Sequence, residues 1–230
     1  MTDTAASASA PRFARIWDAP VRLFHWLLVA LIAFSWWSGE QHEMDWHRLS
    51  GYSILALLVF RLFWGFAGSR TARFAQFVRG PGAVLAYARN IGRRPYAGSD
   101  GHNALGGWSV ILLLAAIAAM VTAGLFAVDV DGLESGPLAD YVSFDQGRAA
   151  AEVHEAMFNV LLALIALHVL AILFYLVWHR RNLIRPMVSG RRALDATEAA
   201  SDLRWSPWKA ALGVVLAAAC AYAVSQGLRF

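Results

Sequence analysis

The sequence predicts an all-α membrane protein: a four-helix transmembrane bundle with a fifth transmembrane helix appended. Three observations predict it. The 230 residues are 58% hydrophobic and only 16% charged, too apolar for an ordinary soluble domain of this size. Five runs, at 20–39, 47–67, 104–127, 152–178 and 207–227, are long enough to cross a bilayer core, which takes about 20 apolar residues. Aromatic residues gather at the run ends, where Trp17, Trp36, Trp37, Trp46, Trp178, Trp205 and Trp208 read as interfacial anchors.

The connections set an orientation. The N-terminal segment carries Arg12, Arg15 and Arg22, whereas Gly39 to Trp46 carries Glu40, Glu43 and Asp45. The second connection carries Arg70, Arg73, Arg79, Arg89, Arg93 and Arg94. The third carries Asp129, Asp131, Glu134, Asp140 and Asp145 against a lone Arg148, and the fourth Arg180, Arg181, Arg185, Arg191 and Arg192. Basic and acidic connections alternate, which by the positive-inside rule predicts the N-terminus inside and the C-terminus outside. The net charge of +4 is then a topology signal and not a nucleic-acid footprint. The expected partners are membrane lipid and redox molecules, with no nucleic acid.

Each segment has a reading. Residues 1–19 form an Ala/Ser-rich cytoplasmic tail, read as disordered and without a cleavable signal pattern. Residues 20–190 form the four-helix domain, 191–206 a cytoplasmic linker, and 207–230 the fifth span. Within the domain, residues 69–101 suggest short amphipathic helices broken at Gly80-Pro81-Gly82, with a solvated basic loop as the alternative. The acidic stretch from Val128 to Ala150 is long enough for a small cap. Cys220 is the single cysteine, so no disulfide, iron–sulfur site or covalent haem motif is available.

Four histidines carry the functional signal: His25, His47, His154 and His168. His154 and His168 lie fourteen residues apart on one run, close to four turns, and so share a face about 21 Å apart along the axis. With the predicted orientation, His25 and His168 fall at the inner level, His47 and His154 at the outer. Ionisable side chains in a span are rare and usually functional. Two histidines at each of two depths suggest two stacked, non-covalent b haems, each with two axial imidazoles, and electron transfer across the membrane. For any one histidine the plain alternative is a packed or interfacial residue.

Other residues support the pattern. Gly51 lies one turn after His47, and Gly106 and Gly107 open the third span. Glycines there leave room for a flat macrocycle, or serve helix packing. Arg61 lies fourteen residues after His47, at the inner level, where its guanidinium would meet a haem propionate or snorkel to the surface. Arg22 and Arg70 are weaker candidates for that role. His102, at the start of the third span, could bind a propionate or a quinone, stand in for His25 as a ligand, or be a helix-start residue beside Asn103. His42 lies in the outer loop, and His179 ends the fourth span as an interfacial residue.

The segments VRLFHWLLV, WHRLSGYSILALLVFRLFWGFAG, GHNALGGWSV and HEAMFNVLLALIALHVLAI occur in this order. Together they resemble the bacterial cytochrome b561 and nickel–iron hydrogenase cytochrome b family, over roughly residues 12–192. The resemblance implies a four-helix transmembrane haem-binding bundle plus a fifth transmembrane helix. It implies two b haems, one held by His25 and His168, the other by His47 and His154. The fifth span and its basic linker resemble the hydrogenase branch more than the four-span branch.

The leading expectation is a dihaem cytochrome linking the quinone pool to an outer-side redox partner, such as a periplasmic c-type cytochrome. The acidic outer loops would attract a basic partner. The alternatives are a quinone-linked oxidoreductase acting on a small outer-side substrate such as superoxide, and the membrane-anchor cytochrome subunit of a hydrogenase-like complex. A haem-free transporter would need broken helices or polar groups at the midplane, and the sequence offers little of either.

Overall fold

A computed structural model describes residues 13–93, 101–194 and 203–229. Arg12, Arg94, the rest of the tail over 1–12 and the linker over 195–202 lie outside the described residues. Five helices are long and apolar enough to cross a membrane: α1 Ala19–Glu40, α2 Met44–Ala67, α5 Ala104–Phe126, α6 Phe144–Val177 and α8 Pro207–Ser225. Helices are the expected form, because no water in a bilayer core can satisfy an unpaired backbone group. Short helices α3 Phe74–Phe77, α4 Pro81–Arg89 and α7 Ile184–Ser189 complete the set.

The helix starts follow local chemistry. Asp18 caps α1 by accepting the Val21 N–H at 2.7 Å, and Pro20 sits in the first turn, where its missing N–H costs nothing. Asn103 caps α5 through the Gly106 N–H. In α6, Ser143 and Gln146 form a reciprocal capping box.

That box corrects one boundary. The fourth helix begins at Phe144 and not near residue 152, so it runs for 34 residues and shortens the acidic loop. The apolar run begins late, but the Ser-x-x-Gln signal starts the helix two turns earlier. The remaining loop still folds as a small cap, with a bridge between Val128 and Ser135 and a 3-10 turn at Ala139–Tyr141.

The residues before α1 also depart from the expected disordered tail. Strand β1, Phe13–Arg15, pairs antiparallel with β2, Arg191–Ala193. The Ile16 and Trp17 N–H groups both donate to the Gly190 carbonyl. Trp17 is buried in the protein interior, and Trp205 is half-buried, edge-on against Trp64. Trp36, Trp37, Trp46, Trp178 and Trp208 are exposed, as interfacial anchors should be.

Helix α1 packs on α2, α5 on α6, and α2 touches α5, while α8 lies along α2. A Cβ on Gly213 of α8 would fall 2.7 Å from the Phe63 ring, so glycine is what lets α8 approach so closely. The middle of the bundle is apolar and drawn from all four main helices: Phe24 and Leu28, Ile54 and Leu58, Ile117 and Met120, and Leu161. Between α2 and α5 the chain forms the expected broken amphipathic segment, with α4 starting at Pro81. Tyr87 of α4 hydrogen-bonds Tyr175 of α6 at 2.6 Å, which ties this segment to the bundle.

Candidate functional site

The bundle has two chemically distinct ends. The acidic end holds the Gln41–Glu43 turn, the 127–143 cap and residues 226–229 after α8. The arginine-rich end holds the 13–18 segment, the 68–103 connection and the 178–194 segment. Each contains two of the four histidines, with the apolar layer between them.

At the acidic end, α2 and α6 bring His47 and His154 together. Their ring centroids are 5.9 Å apart and the ring planes cross at 81°. The His47 Nδ1–H donates to the Ser35 carbonyl at 2.8 Å, and the His154 Nδ1–H to the Met120 carbonyl at 2.7 Å. A carbonyl can only accept, so each bond fixes the tautomer with the proton on Nδ1. Both Nε2 atoms are then lone-pair donors, without a hydrogen bond among the described residues. Metal-binding histidines are oriented in the same way, their second nitrogen bonded to a carbonyl. With a metal–nitrogen bond of about 2 Å and about 1 Å from nitrogen to ring centre, two axial imidazoles stand about 6 Å apart. The observed spacing fits one metal between them.

Two glycines make room for these rings. A Cβ on Gly124 would lie 2.8 Å from His154 Nδ1, and one on Gly39 would lie 3.2 Å from His47 Nδ1. Neither was singled out from the sequence, because the partners are distant in the chain. Gly51 is different: nothing lies within 4 Å of its would-be Cβ, so open space adjoins α2 one turn after His47. Gly107 does not provide such space, since its Cβ position lies 2.6 Å from the Phe77 carbonyl oxygen, and Gly106 serves the Asn103 cap. These two serve helix packing and helix capping.

At the arginine-rich end, His25 of α1 and His168 of α6 lie within electrostatic range of each other. The His25 Nδ1 is buried with no hydrogen-bond partner among the described residues. His102, just before α5, lies against Trp17 at 4.7 Å and Phe77 at 4.6 Å between ring centroids. Burial, then the Arg61 guanidinium and His168, push its pKa down to about 3, so it is a neutral imidazole at ordinary pH. Its Nδ1 is buried and unpartnered too. Arg61 is 3% exposed, so it does not snorkel to a surface. Its guanidinium carbon sits 4.8 Å from the Phe74 ring centroid, and its Nη1 is buried without a partner. Among the described residues these three buried nitrogens have no hydrogen-bond partner, as a polar group bound at this end would leave them.

The remaining candidates are accounted for locally. Arg22 donates through Nη1 to the Val188 carbonyl. His179 bonds the Ile91 carbonyl at 2.8 Å and stacks on Tyr175. His42 is exposed in a turn with positive φ. Asp18 was missed by the sequence reading. It is fully buried, and besides capping α1 it accepts the Trp64 Nε1–H at 3.0 Å.

The acidic end is less one-sided than its loops suggest. Arg48, inside α2, pairs with Asp45 at 2.7 Å and with Glu134, and Arg229 pairs with Asp140. Arg148 donates to the Val128 carbonyl instead. Counting loop residues alone left out Arg48 and Arg229, which the fold brings to this face.

Membrane-length helices with histidines paired inside the bundle, and no covalent attachment motif, define a multi-pass membrane cytochrome of the b type. The family model for prokaryotic cytochrome b561 matches residues 16–190, and the chain belongs to that family. Membership brings haem b binding and electron transfer in a membrane. No curated protein and no solved structure matched the chain significantly. Among the described residues, no group of three or more His, Cys, Asp or Glu side chains is placed to hold a bare metal ion. A porphyrin supplies its own equatorial nitrogens, so a pair of histidines suffices.

Proposed function

We propose that the protein is a dihaem b-type cytochrome that carries electrons across the membrane between the quinone pool and a redox partner on the outer side. The observation that carries this reading is the His47–His154 pair: ring spacing, tautomers and free Nε2 atoms all suit two axial ligands on one iron. His25 and His168 would hold the second haem. Haem held by these histidine pairs would supply reversible one-electron chemistry at iron.

The chain does the rest. Ser35 and Met120 carbonyls hold the two outer rings in register. The apolar layer around Leu161 keeps water from the space between the two ends. Arg61 would donate through its buried Nη1 to a propionate of the second haem, and the neutral His102 could donate to a propionate or to a quinone oxygen. The alternation of charge supports a cytoplasmic N-terminus, with the acidic end periplasmic.

The test is pyridine haemochrome analysis of the purified chain, with an acid-acetone extraction. Two extractable b haems per chain are expected. One haem per chain, or haem that resists extraction, would overturn the reading.

A further inference from the structure

We propose that Asp18 is a fixed buried charge that opposes Arg61 and lowers the reduction potential of the haem at the arginine-rich end. The inference rests on the dihaem reading and concerns the His25–His168 site within it.

Asp18 does more than a cap requires. A neutral Ser, Thr or Asn would cap α1 about as well. A carboxylate with no exposed surface is costly to bury, and needs a reason. Both of its oxygens accept from neutral donors: Oδ1 from the Val21 N–H at 2.7 Å and Oδ2 from the Trp64 indole at 3.0 Å. Neither donor cancels the charge. Arg61, three residues before Trp64 on α2 and also buried, carries the opposing charge on the helix that Asp18 bonds.

Position ties this pair to the histidines. Asp18 precedes His25 by seven residues, so the two share a face of the α1 segment about 10 Å apart along the axis. The carboxylate is also held firmly. The Ile16 and Trp17 N–H groups donate to Gly190, and the Thr71 hydroxyl donates to the Ile16 carbonyl at 2.8 Å. A negative charge fixed there favours oxidised iron, and Arg61 favours reduced iron. Were the charge about 10 Å from the iron, at an effective dielectric of about 20, it would change the reduction equilibrium on the order of tenfold.

The experiment is a spectroelectrochemical titration of the purified full-length holoprotein. Asp18→Asn keeps an oxygen for the cap and removes the charge. It should raise the midpoint of one haem component by about 59 mV, a tenfold change for one electron, and leave the other component in place. Trp64→Phe removes a neutral donor and no charge, so it should move neither midpoint comparably. The Asp18→Asn, Arg61→Gln double variant should return towards the wild-type midpoint. If Asp18→Asn fails to accumulate, Asp18→Ser takes its place. Accumulation of the double variant where both single Asp18 variants fail would also support the charge pair. Unmoved midpoints in Asp18→Asn, an equal shift in Trp64→Phe, or failure of all the Asp18 variants would overturn the proposal. A wild-type protein with one haem component would instead overturn the dihaem reading itself.

Discussion

His47 and His154, 107 residues apart in the chain, meet with ring centroids 5.9 Å apart and planes at 81°. Each is pinned by a backbone carbonyl from a different neighbouring helix: Ser35 on α1 for His47, Met120 on α5 for His154. All four main helices therefore contribute to one pair of imidazoles. The consequences can be tested one group at a time.

The two ends should lose haem independently. His154→Ala is expected to remove the spectral component of the acidic-end haem and to spare the other, and His168→Ala to do the reverse. Their separation of about 21 Å along α6 is too great for one macrocycle. Low-temperature difference spectra of both variants check this. Loss of the same component in both would mean the pairing is wrong.

Gly124 should matter as much as a ligand. Its Cβ would come within 2.8 Å of His154 Nδ1, and that ring is already anchored to Met120. Gly124→Val is expected to displace the imidazole and abolish the acidic-end component, whereas Gly51→Ala, which enters open space, should be tolerated better. Haem content and six-coordinate low-spin character, read by electron paramagnetic resonance, decide between them. A Gly124→Val protein with both haems intact would show that the ring has room to move.

Arg61→Gln should lower the midpoint potential of the arginine-end haem. Loss of a nearby positive charge stabilises oxidised iron, and Arg61 is buried where solvent screens it little. The acidic-end haem should hardly change. A potentiometric titration showing no shift would separate Arg61 from the haem.

Docking of a basic partner at the acidic end should weaken with salt, since exposed charges are screened over about 8 Å at physiological ionic strength. Three of the acids there are paired with arginine, so the attraction must come from others, such as Asp131 and Asp145, which are exposed and have no ion pair among the described residues. Neutralising both should slow electron exchange with a basic soluble cytochrome and flatten its salt dependence. Stopped-flow rates across a salt series test it, and rates indifferent to salt would leave the face without a docking role.

What the sequence determined by itself was set by local rules. A run of about 20 apolar residues must form a helix in a bilayer, so five spans could be read directly. Fourteen-residue spacing put His154 and His168 on one face because helical periodicity is local. The start of α6 was also local, written in Ser143 and Gln146, but the apolar run drew the boundary two turns too late. Only the tertiary structure could bring Ser35 to His47 or Gly124 to His154. It alone bends residues 13–18 back onto Gly190, buries Asp18 against Trp64, and carries Arg48 and Arg229 to the acidic face. Those contacts join residues from 12 to 174 positions apart. No periodicity within a single helix encodes them, because they depend on how separate helices pack and turn against one another.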